Sequence, residues 1–237
     1  MSAGARPLTQ LPFEFGHRPS YAAADFLISD SNADAYGWVE RWPDWPAPGL
    51  VVHGPPGCGK SHLAELWGAR ADAVAIATAM LETRDAAALL GEARCCIVDD
   101  LTDCLEGNGA ERTLLHLFNM VAERHGQMML SASTPPVRWR IGLADLRSRL
   151  LAIPSVAIKP PDDGLLQALI SKLFHDRQMS VDSDVVSYIV TRMERSFDGA
   201  RRIVDAIDRA ALAQRRRPTG TLVRDVMDRL RRESAED

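Results

Sequence analysis

Residues 54–61 read GPPGCGKS, a G-x-x-x-x-G-K-[ST] string. That spacing suits one kind of chemistry, the holding of a polyphosphate. Gly57 and Gly59 let the backbone turn tightly, with Pro56 and Cys58 beside them, so that successive N–H groups converge on phosphate oxygens. The helix that follows, starting with Lys60, Ser61 and His62, offers its positive end to the same anion. Lys60 is placed to bridge β- and γ-phosphates, and the Ser61 hydroxyl to ligate Mg²⁺. Lysine is scarce in this chain: Lys60, Lys159 and Lys172 are the whole complement, so its presence here carries weight.

The second chemical feature is CCIVDD at 95–100, an apolar run ending in two carboxylates. Asp99 is the metal candidate beside Ser61, and Asp100 stands where a catalytic base would polarise an attacking water. An aspartate reaches less far than a glutamate, so hydrolysis by this chain alone is expected to be slow. Out of context the two stretches could be a chance glycine-rich turn and two solvated acids. The elements around them favour the phosphate loop.

Those elements alternate. Strands are expected at 50–54, 73–77, 95–100, 127–133 and 155–160, and helices at 29–42, 60–70, 85–92, 110–126 and 143–152. Such alternation predicts an α/β fold with a parallel five-stranded sheet covered on both faces. After residue 160 the pattern changes to four helical stretches, at 162–178, 182–194, 198–214 and 219–232. The expected organisation is an extended tail over 1–20, a nucleotide-binding α/β domain over 21–160 and an all-helical domain over 161–237.

Composition narrows the function. Apolar content of 46% and charged content of 25% are those of a globular protein, and the net charge of −4 gives no general attraction to nucleic acid. No apolar run approaches membrane-span length and the first residues lack a secretory pattern, so a cytoplasmic protein is expected. Cys58, Cys95, Cys96 and Cys104 lack paired ligand spacing and read as buried thiols.

The phosphate loop, the acidic strand end and the helical C-terminal part together resemble an AAA+ ATPase. More narrowly, GKSHLAELWG (59–68), CIVDDL (96–101) and STPPVRWRIGLADLRSRL (133–150) are similar to the replication-initiator family of DnaA. The resemblance implies an AAA+ phosphate-loop fold with a helical lid, binding ADP or ATP with Mg²⁺. It implies that 25–36, beginning Asp25, Phe26, Leu27, is the adenine-side segment. It places Ser133 at the sensor 1 position, Arg149 at the arginine finger that one subunit inserts into its neighbour's nucleotide, and Arg201 at the sensor 2 position of the lid. Since the adenine-side segment and Arg149 lie on surfaces shared between subunits in this family, pairing into a homodimer is compatible with the sequence.

Initiators of this family carry a helix-turn-helix DNA-binding domain after the lid and extra helical structure between the second strand and the acidic one. Here the sequence ends at Asp237, and residues 78–93 leave room for one short helix. No cluster of Lys/Arg forms a strong direct DNA-binding signal. A regulator is therefore expected rather than an initiator.

The tail gives that regulator a place to act. Gln10, Leu11, Pro12 and Phe13 resemble the short peptides that dock on the bacterial sliding clamp (β subunit) of DNA polymerase III. Leu11 and Phe13 would enter an apolar pocket, contributing about 3–6 kcal/mol before ordering losses, while Gln10 bonds at its rim. Pro12 presets the chain and lowers the ordering cost. The alternative is that Leu11 and Phe13 fold back on the protein's own surface. The combined resemblance implies a negative regulator of replication initiation that is held on the clamp and offers Arg149 to ATP bound by DnaA. Two other readings stay open: an initiator or helicase loader using its own hydrolysis, and an adaptor that only bridges clamp and DnaA.

Overall fold

The structure, a computed structural model, describes residues 26–101, 108–214 and 216–236. Gln10–Phe13 and Asp25 lie outside the described residues. The strands are β1 (Gly49–His53), β2 (Val74–Ala77), β3 (Cys96–Asp99), β4 (Met128–Ala132) and β5 (Ser155–Ala157). They form one parallel sheet in the order β2-β3-β4-β1-β5. β4 is buried along its whole length and β1 along all but its last residue, whereas β2 and β5 at the edges alternate. Central parallel strands must be apolar on both faces because helices cover both.

The pleat sorts the strand residues between two cores. Leu50, Val52, Ile97 and Met129 face α1 (Ala33–Glu40) and α2 (Lys60–Ala71). Val51, Cys96, Val98 and Leu130 face α3 (Ala86–Leu90), α4 (Asn108–Glu123) and α5 (Ala144–Ala152). The helix expected from residue 29 begins at Ala33, because residues 29–32 form a turn ahead of it. There Asn32 Oδ1 accepts from the Ser29 N–H at 2.9 Å and Asn32 Nδ2 donates to the Leu27 carbonyl at 2.9 Å.

Four further helices, α6 (Asp163–Asp176), α7 (Ser183–Val190), α8 (Phe197–Gln214) and α9 (Gly220–Glu236), enclose a third apolar core built around Leu166, Phe174, Ile189, Val204 and Val223. The Asp162 carboxylate starts α6 by accepting the Leu165 N–H at 2.7 Å. α7 is shorter than the expected 182–194. Thr191 Oγ1 donates to the Ser187 and Tyr188 carbonyls and closes its last turn, and residues 194–196 then turn the chain into α8. Among the described residues no helix is long and apolar enough to cross a membrane.

Candidate nucleotide and metal site

β1 is an interior strand, between β4 and the edge strand β5, and the loop after it lies at the carboxyl end of the strands. That is where open α/β sheets leave a crevice. The loop uses its glycines as the spacing requires: Gly57 has φ +67° and Gly59 φ +100°, the left-handed region. A second constraint comes from the helical bundle. A Cβ on Gly57 would stand 2.8 Å from Ser196 Cβ, and one on Gly59 would stand 3.1 Å from the Phe197 ring. The Phe197 N–H donates to the Gly57 carbonyl at 2.7 Å, so α8 starts directly on the loop.

Between loop and bundle lies a cleft of about 810 Å³, part of it continuous with solvent. Its walls bring together Phe26, Leu27, Gly57, Gly59, Lys60, Ser61, His62 and Arg201 of the sequence-derived set, and add Leu169, Phe197 and Asp198. Phe26 stacks on Tyr36 (5.7 Å between centroids) and meets His62 edge-on (5.2 Å), anchoring in the α1/α2 core. The next residue, Leu27, packs instead against the helical bundle. The segment thus forms an apolar and aromatic wall across both parts. A flat base suits such a wall, and the glycine cradle opposite suits phosphates.

At the phosphate end, Lys60 Nζ donates to the carbonyls of Gly54 (2.9 Å) and Pro55 (3.0 Å). Arg201 Nη1 stands 3.9 Å from Asp198 Oδ1, on the first turn of α8. Ser61 Oγ donates to Asp99 Oδ2 at 2.7 Å. A hydroxyl and a carboxylate in contact are the hard oxygen donors that Mg²⁺ takes when phosphates and water complete its shell. The residues therefore fit the ion. Glu65, one turn beyond Ser61, has its carboxyl pKa raised, first by burial and then by the Asp99 charge.

Sequence reasoning missed Ser131. This serine on β4 is fully buried; its hydroxyl donates to Asp99 Oδ1 and accepts the Asp100 N–H at 2.9 Å. Asp99 is thus gripped from two sides, and the same hydroxyl fixes the turn in which Asp100 adopts φ +57°. Ser133, the residue expected to sense phosphate, lies half-buried two positions on, and Asp100 is exposed; neither lines the cleft. Pro56 and Cys58 belong to the loop without lining the cleft. Cys58 is buried, and burial raises its thiol pKa against the opposing pull of Lys60.

Arg149 is separate from the cleft. It sits on α5, where Nε donates to Asp145 Oδ1 at 3.0 Å and Nη2 to Oδ2 at 3.4 Å, with the Phe118 ring 5.7 Å from its guanidinium carbon. The pair is surface-lying, with side-chain exposures of 38% and 57%. An exposed i,i+4 pair contributes about 0.3–0.5 kcal/mol, so this contact does not lock the guanidinium.

Residues 162–227 match the family model described as the Hda lid domain. The chromosomal replication initiator protein DnaA of Thermomicrobium roseum is 27% identical over 230 residues, covering 87% of this chain and 48% of that protein. The DnaA of Campylobacter jejuni subsp. doylei is 23% identical over 230 residues, covering 88% and 52%. The chain thus spans about half the length of the curated relatives it matches. In fold it is similar to domain III of the Thermotoga maritima replication initiation protein DnaA, with a TM-score of 0.78 at 15% identity over 89% of this chain and 97% of that one. A replication initiator DnaA bound to AMPPCP and single-stranded DNA gives a TM-score of 0.68 at 17% identity, over 80% and 65% of the two chains.

Proposed function

We propose that the chain is an AAA+ protein of the DnaA family resembling Hda, that it binds an adenine nucleotide, and that it acts in trans on ATP held by DnaA, restraining replication initiation in the cytoplasm; its similarity to the Hda lid domain and to DnaA proteins supports this reading. The observation that carries this reading is the match of residues 162–227 to the Hda lid domain.

The chain's own site takes ADP or ATP: base against Phe26, Leu27 and His62, phosphates in the loop from Pro56 to Ser61, and Arg201 reaching in from the lid. Asp25 and Ser133 complete the set that the family resemblance assigns. Ser61 and Asp99 would hold Mg²⁺, which neutralises phosphate charge when bound. Asp100 is the base candidate for any hydrolysis by the chain itself. The chemistry that matters to the partner is assigned to Arg149. A guanidinium brought to a γ-phosphate stabilises charge as the terminal phosphoryl group leaves, an effect worth about 10³–10⁵ in rate. The exposed Asp145 pair is weak enough to be exchanged for a triphosphate. Gln10, Leu11, Pro12 and Phe13 tether the protein to the sliding clamp, and a homodimer is the form in which its nucleotide surface would be shared.

The test is ATP hydrolysis by DnaA in the presence of this chain and a DNA-loaded clamp. Wild type accelerates it, and Arg149→Ala removes the acceleration while leaving nucleotide binding intact. A second reading, an initiator or helicase loader driven by its own hydrolysis, is favoured by the Ser61–Asp99 contact, which prepares a metal site in this chain. It predicts turnover by the chain alone, abolished by Lys60→Ala and insensitive to Gln10→Ala.

A further inference from the structure

Glu111 is a buried acid in a molecule whose other carboxylates, among the described residues, all keep more solvent exposure. It lies in the first turn of α4 with 3% of its surface exposed. Both oxygens are used across the fold: Oε1 accepts the Gly142 N–H at 2.8 Å and Oε2 accepts the Leu143 N–H at 2.7 Å. Leu143 is the residue that caps α5, and its own side chain offers no cap. The first turn of a helix leaves N–H groups without partners, and a carboxylate there also meets the positive end of the helix dipole. Glu111 supplies from α4 the anchor that the sequence before α5 lacks.

α4 touches α5 a second time, through Phe118 beneath the Arg149 guanidinium. Helix α5 is therefore fixed on α4 at its start by a two-pronged carboxylate and near its end by an aromatic ring. Along α5 lie Asp145, which pairs with Arg149, and Leu146 and Leu150, which bury its inner face. A rotation or slide of α5 moves the guanidinium by ångströms, and misplacement on that scale is costly to a group that acts by position.

We propose that Glu111 is the positioning residue for Arg149: its paired hydrogen bonds to Gly142 and Leu143 set the pose of α5 and hence the reach of the guanidinium into the partner's nucleotide. The proposal rests on Arg149 acting in trans. Replacement by glutamine keeps the size but turns one acceptor into a donor that faces a backbone N–H, so one of the two bonds is lost.

The experiment compares Glu111→Gln with wild type in two backgrounds, Arg149 and Arg149→Ala, using the full chain, DNA-loaded clamp and ATP-loaded DnaA. Amide exchange over residues 142–150 is followed by mass spectrometry, and ADP affinity serves as the control for an intact fold. Glu111→Gln is expected to speed exchange in 142–150 at least tenfold and to leave ADP affinity within twofold. The maximal stimulated rate should fall at least tenfold with the half-saturating concentration little changed. In the Arg149→Ala background it should cause no further fall, because the group it positions is gone. Glu111→Asp, with both acceptors on a shorter arm, should recover part of the rate.

The proposal is overturned if exchange in 142–150 is unchanged, or if stimulation survives Glu111→Gln while Arg149→Ala abolishes it. It is equally overturned if ADP affinity falls in step with the stimulated rate, which would mark a general loss of fold. Failure of the underlying reading looks different: Arg149→Ala itself would leave stimulation intact.

Discussion

The Phe197 N–H donates to the Gly57 carbonyl at 2.7 Å, so the first residue of α8 is hydrogen-bonded to the phosphate loop. Gly57 serves this contact and its own turn together. Gly57→Ala must accept both a left-handed φ, at a cost of about 1–2 kcal/mol, and a Cβ that would sit 2.8 Å from Ser196 Cβ. The expected outcome is a melting temperature lowered by several degrees and an ADP affinity at least tenfold weaker, read by calorimetry and by titration with a fluorescent nucleotide.

Ser131 and Ser133 should separate in a metal titration. Ser131→Ala removes one of the two hydroxyls that hold Asp99 among the described residues and takes away the acceptor of the Asp100 N–H. A loss of about 1–3 kcal/mol of stability is expected from the broken buried bonds, together with a rise in the Mg²⁺ concentration needed for tight nucleotide binding. Ser133→Ala should move that Mg²⁺ requirement less. Equal shifts for the two variants would contradict the assignment of Asp99's partner to Ser131.

Much of this was legible in the sequence, because a phosphate loop is local: Gly57, Gly59, Lys60 and Ser61 lie within five positions and the strand before them is a run of apolar residues. Ser131 was not. In the expected strand 127–133 it and Ser133 lie two apart and read to the same face, and periodicity cannot separate them; β4 ends at Ala132, one residue before Ser133. Register does separate them: Val98 pairs with Leu130, which brings Asp99 level with Ser131. Glu111 left a fainter trace. At helical spacing it shares a stripe with Leu114, Phe118 and Val121, all buried, and an acid on an apolar stripe needs donors from elsewhere. Where those donors lie, some thirty residues on in sequence, is fixed only by the packing of α4 on α5.

Alkaline pH should destabilise the fold through its buried thiols. Burial raises Cys58 and pushes Cys96 up to about 12, from an ordinary 9.0. Below pH 9 both states keep these protons and the shift has no effect. As pH rises above that, the unfolded chain releases protons that the folded chain retains, so stability falls by up to about 1.4 kcal/mol per pH unit for each thiol. The loss from Cys96 is complete only as pH passes about 12. Denaturant melts from pH 8 to 11 should show this decline, with a shallower slope in Cys96→Ala.

Releasing Arg149 from Asp145 should cost little. The pair is exposed on both sides, so Asp145→Ala is expected to change stability by less than about 0.5 kcal/mol. If the carboxylate only orients the guanidinium, stimulation of DnaA should drop several-fold without vanishing. Chemical denaturation checks the first expectation and the trans-hydrolysis assay the second.

The most direct test of the central claim is the rate at which DnaA hydrolyses its bound ATP when this chain and a DNA-loaded clamp are added. The account predicts an acceleration of at least tenfold with the wild-type chain and none with Arg149→Ala, both proteins binding ADP equally well. A wild-type chain that leaves DnaA's rate unchanged would contradict it.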